Sequence, residues 1–191
     1  MRKHLSVFLS AGHLVLFLLV SFLLPLFSFE GYSWRMHTTS HLGAQGSPHA
    51  WIMNLVFVLL GIRAVQVTRV SPVPWVRVFG ILFGGSLLLT GVFRHAPLAG
   101  GVPVDTLQDA MHSVFATATG FAFALLAFAH GVVNRGPQRT AAFLLVCIAA
   151  LVPLLMMRFP LGMGISQRIM FLCAFSWLFL FFRPASSGRS G

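Results

Sequence analysis

The sequence predicts an all-α polytopic membrane protein, a bundle of six transmembrane helices. Three observations predict it. Apolar residues make up 57% of the 191-residue chain and charged residues 8%, against about 25% charged in an ordinary globular domain. There is too little polar material to cover a water-facing surface. Six segments are apolar over close to the length of about 20 residues that a helix needs to cross hydrocarbon. The thirteen basic residues are strung out singly between those runs. The net charge of +10 would suit a nucleic-acid partner only if basic residues shared one face, so nucleic acid is excluded.

The first span, 5–29, follows Met1-Arg2-Lys3-His4. It starts like a signal peptide, but the apolar run is too long and no small-x-small cleavage site follows, so it reads as an uncleaved span. The second, 48–67, opens with Ser47-Pro48, a cap followed by a first helical position. The third, 74–93, opens similarly after Ser71-Pro72. The fourth, 109–133, is long. The fifth, 140–157, contains Pro153, which would kink it. The sixth, 164–182, carries Gln167 and Arg168 in its first turn. Together they make one domain over 1–184, with a disordered tail at 185–191. Cys147 and Cys173 have no metal or redox spacing and read as buried thiols.

Six spans put both termini on one side. With the N-terminus cytoplasmic, the inner residues are Arg2, Lys3, Arg63, Arg69, Arg77, Arg135, Arg139, Arg183 and Arg189, and the outer ones Arg35, Arg94, Arg158 and Arg168. Nine against four obeys the positive-inside rule. Arg63 lies within a span and would snorkel to the inner interface. Glu30, Asp105 and Asp109, the three carboxylates, all fall outside. The large positive charge is therefore mostly a topology signal.

Two rows of small residues suggest where helices touch. Gly80 and Gly84, followed by Gly85, Ser86, Thr90 and Gly91, mark the third helix; Ala116, Gly120 and Ala124 mark the fourth. Such rows let backbones approach closely in lipid, where no hydrophobic effect drives association. Asp105, Asp109 and His112 are spaced four and then three apart, on one helical face. That face continues through Ala116 and Gly120, so Asp109 and His112 should point into the bundle. Asp109 reads equally as a helix cap and as a site component.

Polar chemistry concentrates on the outer side. The first loop holds Glu30, Arg35, His37 and His41, with His49 and Asn54 at the next helix. The second brings Arg94, His95 and Asp105, and the third Arg158, Gln167 and Arg168. A zinc ion could draw on His37, His41, His49, His95, Asp109 and His112, although Thr38-Thr39-Ser40 is poor helix material and loop histidines are usually just solvated. Haem would need histidines at one depth: His49 with His112, or His13 with His130. His13 itself reads as a packed, hydrogen-bonded side chain. The residues favour no cofactor. No nucleophile motif occurs, and no carboxylate lies deep in a span as proton-coupled transport would want.

Several strings then read together: Pro48-His49-Ala50-Trp51-Ile52-Met53-Asn54, Gly91-Val92-Phe93 ending the third span, His112 early in the fourth, and Gly164-Ile165-Ser166-Gln167-Arg168 opening the sixth, with Trp177 behind it. This order resembles a prokaryotic six-helix membrane family, domain of unknown function 998, over nearly the whole chain. The resemblance implies a six-helix bundle in a prokaryotic cell membrane and no established activity. The family pattern has Pro and then Asp after Gly-Val-Phe, where this chain has Arg94-His95-Ala96, and often Glu-Arg where it has Gln167-Arg168. Both departures remove a carboxylate from the outer side.

The reading that follows is an outer-facing polar pocket. Asp109 and His112 are the candidate catalytic or hydrogen-bonding pair. His49, Asn54, Arg94 and Arg168 are the candidate ligand-binding residues, the arginines suited to an anionic group such as a lipid phosphate. The leading function is binding or modification of a lipid-like amphiphile from the outer leaflet, with membrane lipid as partner. The alternatives are a small-solute carrier or channel, and a non-catalytic protein partner of another membrane protein.

Overall fold

The computed structural model describes residues 2–183; those residues are mostly helical and contain no strand. The tail at 185–191 lies outside them. Helix α1 spans Arg2–Leu23 and runs into a 3₁₀ turn, Leu24–Phe27, at Pro25. A short α2, Thr39–Leu42, sits in the following loop. Then come α3 (Ala50–Thr68), α4 (Pro74–Val92), α5 (Thr106–Val133), α6 (Gly136–Arg158) and α7 (Met163–Ser176). The last continues as a π-helical turn, Trp177–Phe181. Six helical stretches are long and apolar enough to cross a bilayer: Leu9–Phe27, Ala50–Thr68, Pro74–Val92, Thr106–Val133, Gly136–Arg158 and Pro160–Phe181. The chain is a multi-pass membrane protein. The end of the bundle opposite the termini, which carries α2, is called the distal end below.

Helix starts follow local chemistry and differ from the sequence reading at the second, fourth and fifth spans, the fifth beginning at Gly136 rather than at 140. Pro74 begins α4, where a missing N–H costs nothing. The second span begins at Ala50 rather than Pro48. Ser47 to Ala50 form a turn closed by Ala50 N–H to Ser47 O at 3.2 Å. Pro48 fills its second position, and His49 takes the third at a positive φ of 55°. On α5 the cap is Asp105, whose carboxylate accepts from Gln108 N–H at 3.1 Å; Asp109 is left for other work.

The tightest packing is a glycine seam between α3 and α4. A Cβ at Gly61 would lie 2.5 Å from the carbonyl oxygen of Gly84, and one at Gly84 would lie 2.6 Å from that of Gly61. Gly80 abuts Thr68, and Gly91 abuts the Asn54 backbone. This is the close approach the third-helix row predicts. The α5 row behaves differently. Gly120 is exposed with no neighbour, while the buried face runs His112, Thr119, Phe123, Leu126 and His130. His112 is buried as expected, but Gly120 does not share its face toward the bundle. From His112 to Gly120 is eight residues, more than two turns, enough for the stripe to drift.

The centre is aromatic. Phe175 of α7 packs against Phe17 of α1 (ring centroids 5.4 Å apart) and Phe83 of α4 (6.5 Å), and Phe83 meets Phe123 of α5 (5.3 Å). Arg63 does not snorkel: it is buried, and its Nε and Nη2 both donate to Ser10 Oγ of α1. Helix α6 is the least embedded. Its buried residues are Ala142 and Leu145, toward the terminal end, while Leu151, Leu154, Leu155 and Met157 are exposed. On α5 itself Ser113, Val114, Thr117 and Phe121 are exposed, which leaves one face of its distal half open.

Candidate functional site

The distal loops are held by a few polar side chains, which set where the histidines go. Arg168 of α7 is the main tie. It is 3% exposed, and its guanidinium donates to the carbonyls of Ser21, Trp34, His37 and Gly164 and to the Tyr32 hydroxyl, at 2.8–3.3 Å. Tyr32 donates in turn to the carbonyls of His37 and Thr38. Burial raises the Tyr32 pKa, with Arg168 pulling the other way, so the phenol keeps its proton. One cation thus fastens the first loop to α1 and α7.

Three further side chains set the second loop. Gln45 donates to the backbone carbonyls of Arg94 and Asp105 and accepts from Asp105 N–H. Gln108 accepts from Arg94 N–H at 3.1 Å, and Asp109 Oδ1 accepts from Ala96 N–H at 2.7 Å. His95 lies between these anchors, its Nδ1 3.2 Å from Asp109 Oδ1.

The result is a row of four imidazoles. Centroids of His37 and His41 are 5.6 Å apart, of His41 and His95 5.1 Å, and of His95 and His112 5.2 Å. Hydrogen bonds fix two tautomers. His41 Nδ1 accepts from Thr38 N–H at 3.0 Å, so the neutral ring carries its proton on Nε2. His112 is opposite: its Nδ1 faces the carbonyl oxygens of Thr90 (3.0 Å) and Phe93 (2.9 Å), so that nitrogen holds the proton and Nε2 bears a lone pair. His112 is 2% exposed, and its Nε2 is buried with no hydrogen-bond partner. His41 is pushed down to about 4 by burial first, then by the neighbouring His95, His37 and His112 and by Arg168.

Against this row lies a cavity of about 300 Å³ between α2, α5, α7 and the second loop. Its lining is Thr38, Ser40, His41, His95, His112, Ser113, Ala116, Thr117, Met163 and Gln167. No Lys, Arg, Asp or Glu lines it. Gln167 accepts from both Thr39 N–H and its hydroxyl, which ties α2 to α7. A shallow groove of about 440 Å³ runs along α5 over Ser113, Val114, Thr117, Ala118 and Phe121. Ser113 and Thr117 belong to both.

A sequence-family model described as Protein of unknown function (DUF998) matches residues 13–183. The chain belongs to this family. Comparison with curated proteins and with solved structures finds no match. In this DUF998 member the stretches Arg94-His95-Ala96 and Gln167-Arg168 both reach the cavity, through His95 and through Gln167.

Of the six candidates read from the sequence, the structure brings only His112 to the cavity. Asp109 lies beside it, accepting from Ala96 N–H and facing His95 Nδ1 at 3.2 Å. His49 is exposed at the start of α3. Asn54 is buried and donates to Gly43 O at 3.0 Å, which pins the end of α2. The Arg94 side chain is exposed, and Arg168 spends its donors on the loop. His41, His95 and Gln167 are among the lining residues left out of that set; the four-residue spacing of His37 and His41 was the available signal for His41, and a short helix, Thr39–Leu42, does form there. Among the described residues no three His, Cys, Asp or Glu side chains converge as a metal site. The tautomers explain part of this, because His37 and His41 both use Nδ1 to accept backbone N–H groups. The pairs considered for haem are also apart in role: His49 is exposed while His112 is sealed, and His13 bonds Leu9 O while His130 contacts Gln138.

Proposed function

We propose that this protein binds an amphiphile entering sideways from the outer leaflet, its polar head in the histidine cavity and its apolar chain along α5. The observation that carries this reading is that Ser113 and Thr117 line both the polar cavity and the groove, so one molecule can occupy the two. The uncovered distal face of α5 supplies the lateral entry that a membrane-dissolved ligand needs. Modification of the head would use the same geometry, with His112 Nε2 as the group able to take a proton. A carrier or channel is disfavoured because the aromatic centre at Phe17, Phe57, Phe83 and Phe175 fills the bundle. We infer further that the protein sits in a prokaryotic cell membrane with both termini cytoplasmic, a reading supported by the nine-to-four distribution of basic residues and the resemblance on which the sequence was read.

The test is photocrosslinking in phosphatidylcholine vesicles with a lipid bearing a diazirine on its acyl chain. Adducts should concentrate on the peptide from Ser113 to Phe121. Thr117→Phe, which fills the junction, should lower that labelling by about tenfold, since it removes both the contact area and the path to the cavity. Equal labelling of the exposed α6 face around Leu151–Met157, unchanged in Thr117→Phe, would overturn the proposal.

A further inference from the structure

The chemistry of the head can be read from which donors and acceptors the cavity leaves unused. His112 is the deciding residue. Its Nδ1 is held by two carbonyls at the end of α4, so its Nε2 lies on the other side of the ring, in a residue that lines the cavity and packs against the His95 ring. That nitrogen is buried and unpartnered, and a buried acceptor left unpaired is destabilising. It needs a donor, and a phosphate or carboxylate head would instead present an oxygen to its lone pair. No cation compensates, because Arg168 is fully engaged elsewhere and no basic side chain other than histidine lines the space. His41, across the His95 ring, has Nε2–H to give, its Nδ1 being held by Thr38 N–H. No carboxylate lines the cavity to favour an ammonium head.

Resting on the amphiphile reading, we infer that the head is uncharged and hydroxyl-bearing, of the glycerol or other polyol type, with one hydroxyl donating to His112 Nε2 and another oxygen accepting from His41 Nε2–H. His95 is the movable wall. It sits on a loop, its side chain is 32% exposed, and its ring packs against both His41 and His112. A turn of that ring opens His112 to the incoming hydroxyl without disturbing the helix.

The experiment measures binding of three lipids with one oleoyl chain to the detergent-solubilised full chain, by native mass spectrometry. The lipids are monooleoylglycerol, its 2,3-dimethyl ether and oleoyl lysophosphatidic acid. Monooleoylglycerol should bind at one site, and the other two about tenfold more weakly, the size of one buried hydrogen bond lost. The ether keeps the protein untouched, so the result does not depend on a His112 variant folding. If lysophosphatidic acid or the ether binds as tightly as monooleoylglycerol and Thr117→Phe removes that binding, the uncharged hydroxyl head is wrong while the amphiphile site stands. If all three bind alike and Thr117→Phe changes nothing, the amphiphile reading falls and this inference with it.

Discussion

His41 and His112 turn their ring nitrogens in opposite senses, and backbone groups set the difference. Thr38 N–H occupies His41 Nδ1, whereas carbonyls occupy His112 Nδ1. His41 is an acid-sensitive point of the distal end, because burial first and then the neighbouring His95, His37, His112 and Arg168 disfavour its protonated form. Its folded pKa lies near 4 and its ordinary value near 6.5. Above 6.5 both folded and unfolded chains hold it neutral, and its packing contributes in full. As pH falls below 6.5 the unfolded chain takes up a proton that the folded chain refuses, so stability drops. The loss stops growing below about pH 4, where the folded ring protonates too. Protonation also turns Nδ1 into a donor facing the Thr38 N–H, which breaks the turn that builds α2. The melting temperature in detergent should fall between pH 6.5 and 4. His41→Gln, which can still accept from Thr38 N–H as in a capping box, should lose that part of the pH dependence. An identical acid profile in the two proteins would contradict the assignment.

Elements were legible where their signal was repeated and local. Six apolar runs announced six helices, and the four-residue glycine spacing on α4 announced the seam with α3. The small row on α5 carried the same spacing, yet Gly120 touches nothing, because small residues report that a helix could approach and not that one does. The site was less legible for a related reason. Arg168 bonds mostly to main-chain carbonyls, and every residue type has one, so no pattern of side chains reveals its role. His95 reaches His41 because Gln45 zips two loops together and Gln108 and Asp109 hold the residues on either side of it. His112 was legible since a buried imidazole near a helix start needs partners wherever the neighbours lie. The seam allows a direct comparison. Gly84→Ala forces a methyl group against Gly61 O and the Val65 backbone, and should cost about 1–3 kcal/mol by overpacking two backbones that cannot retreat. Gly85→Ala, one position along with open space around it, should be neutral or slightly stabilising, since alanine is the better helix former. Thermal unfolding of the pair in one detergent decides it; equal melting temperatures would mean the contact is not tight.

At the scale of the whole molecule, the proposed ligand route and the orientation stand or fall together. An amphiphile from the outer leaflet can reach the cavity only if the end bearing α2 and the second loop faces outward. The charge distribution argues for that, since Arg69, Arg77, Arg135 and Arg139 flank the opposite end and the carboxylates Glu30, Asp105 and Asp109 flank this one. The argument is energetic: basic residues near the ends of spans resist translocation, whereas acidic ones contribute little to orientation. It can be checked without any ligand. After both native cysteines, Cys147 and Cys173, are replaced, single cysteines are introduced by Glu30→Cys and Val104→Cys at one end and by Arg69→Cys and Arg139→Cys at the other. A membrane-impermeant maleimide added to intact cells should label the first pair, and the second pair only after permeabilisation. The reverse pattern would put the histidine row on the cytoplasmic side. The cavity would then open to the inner leaflet, and the source of its ligand would have to be sought there.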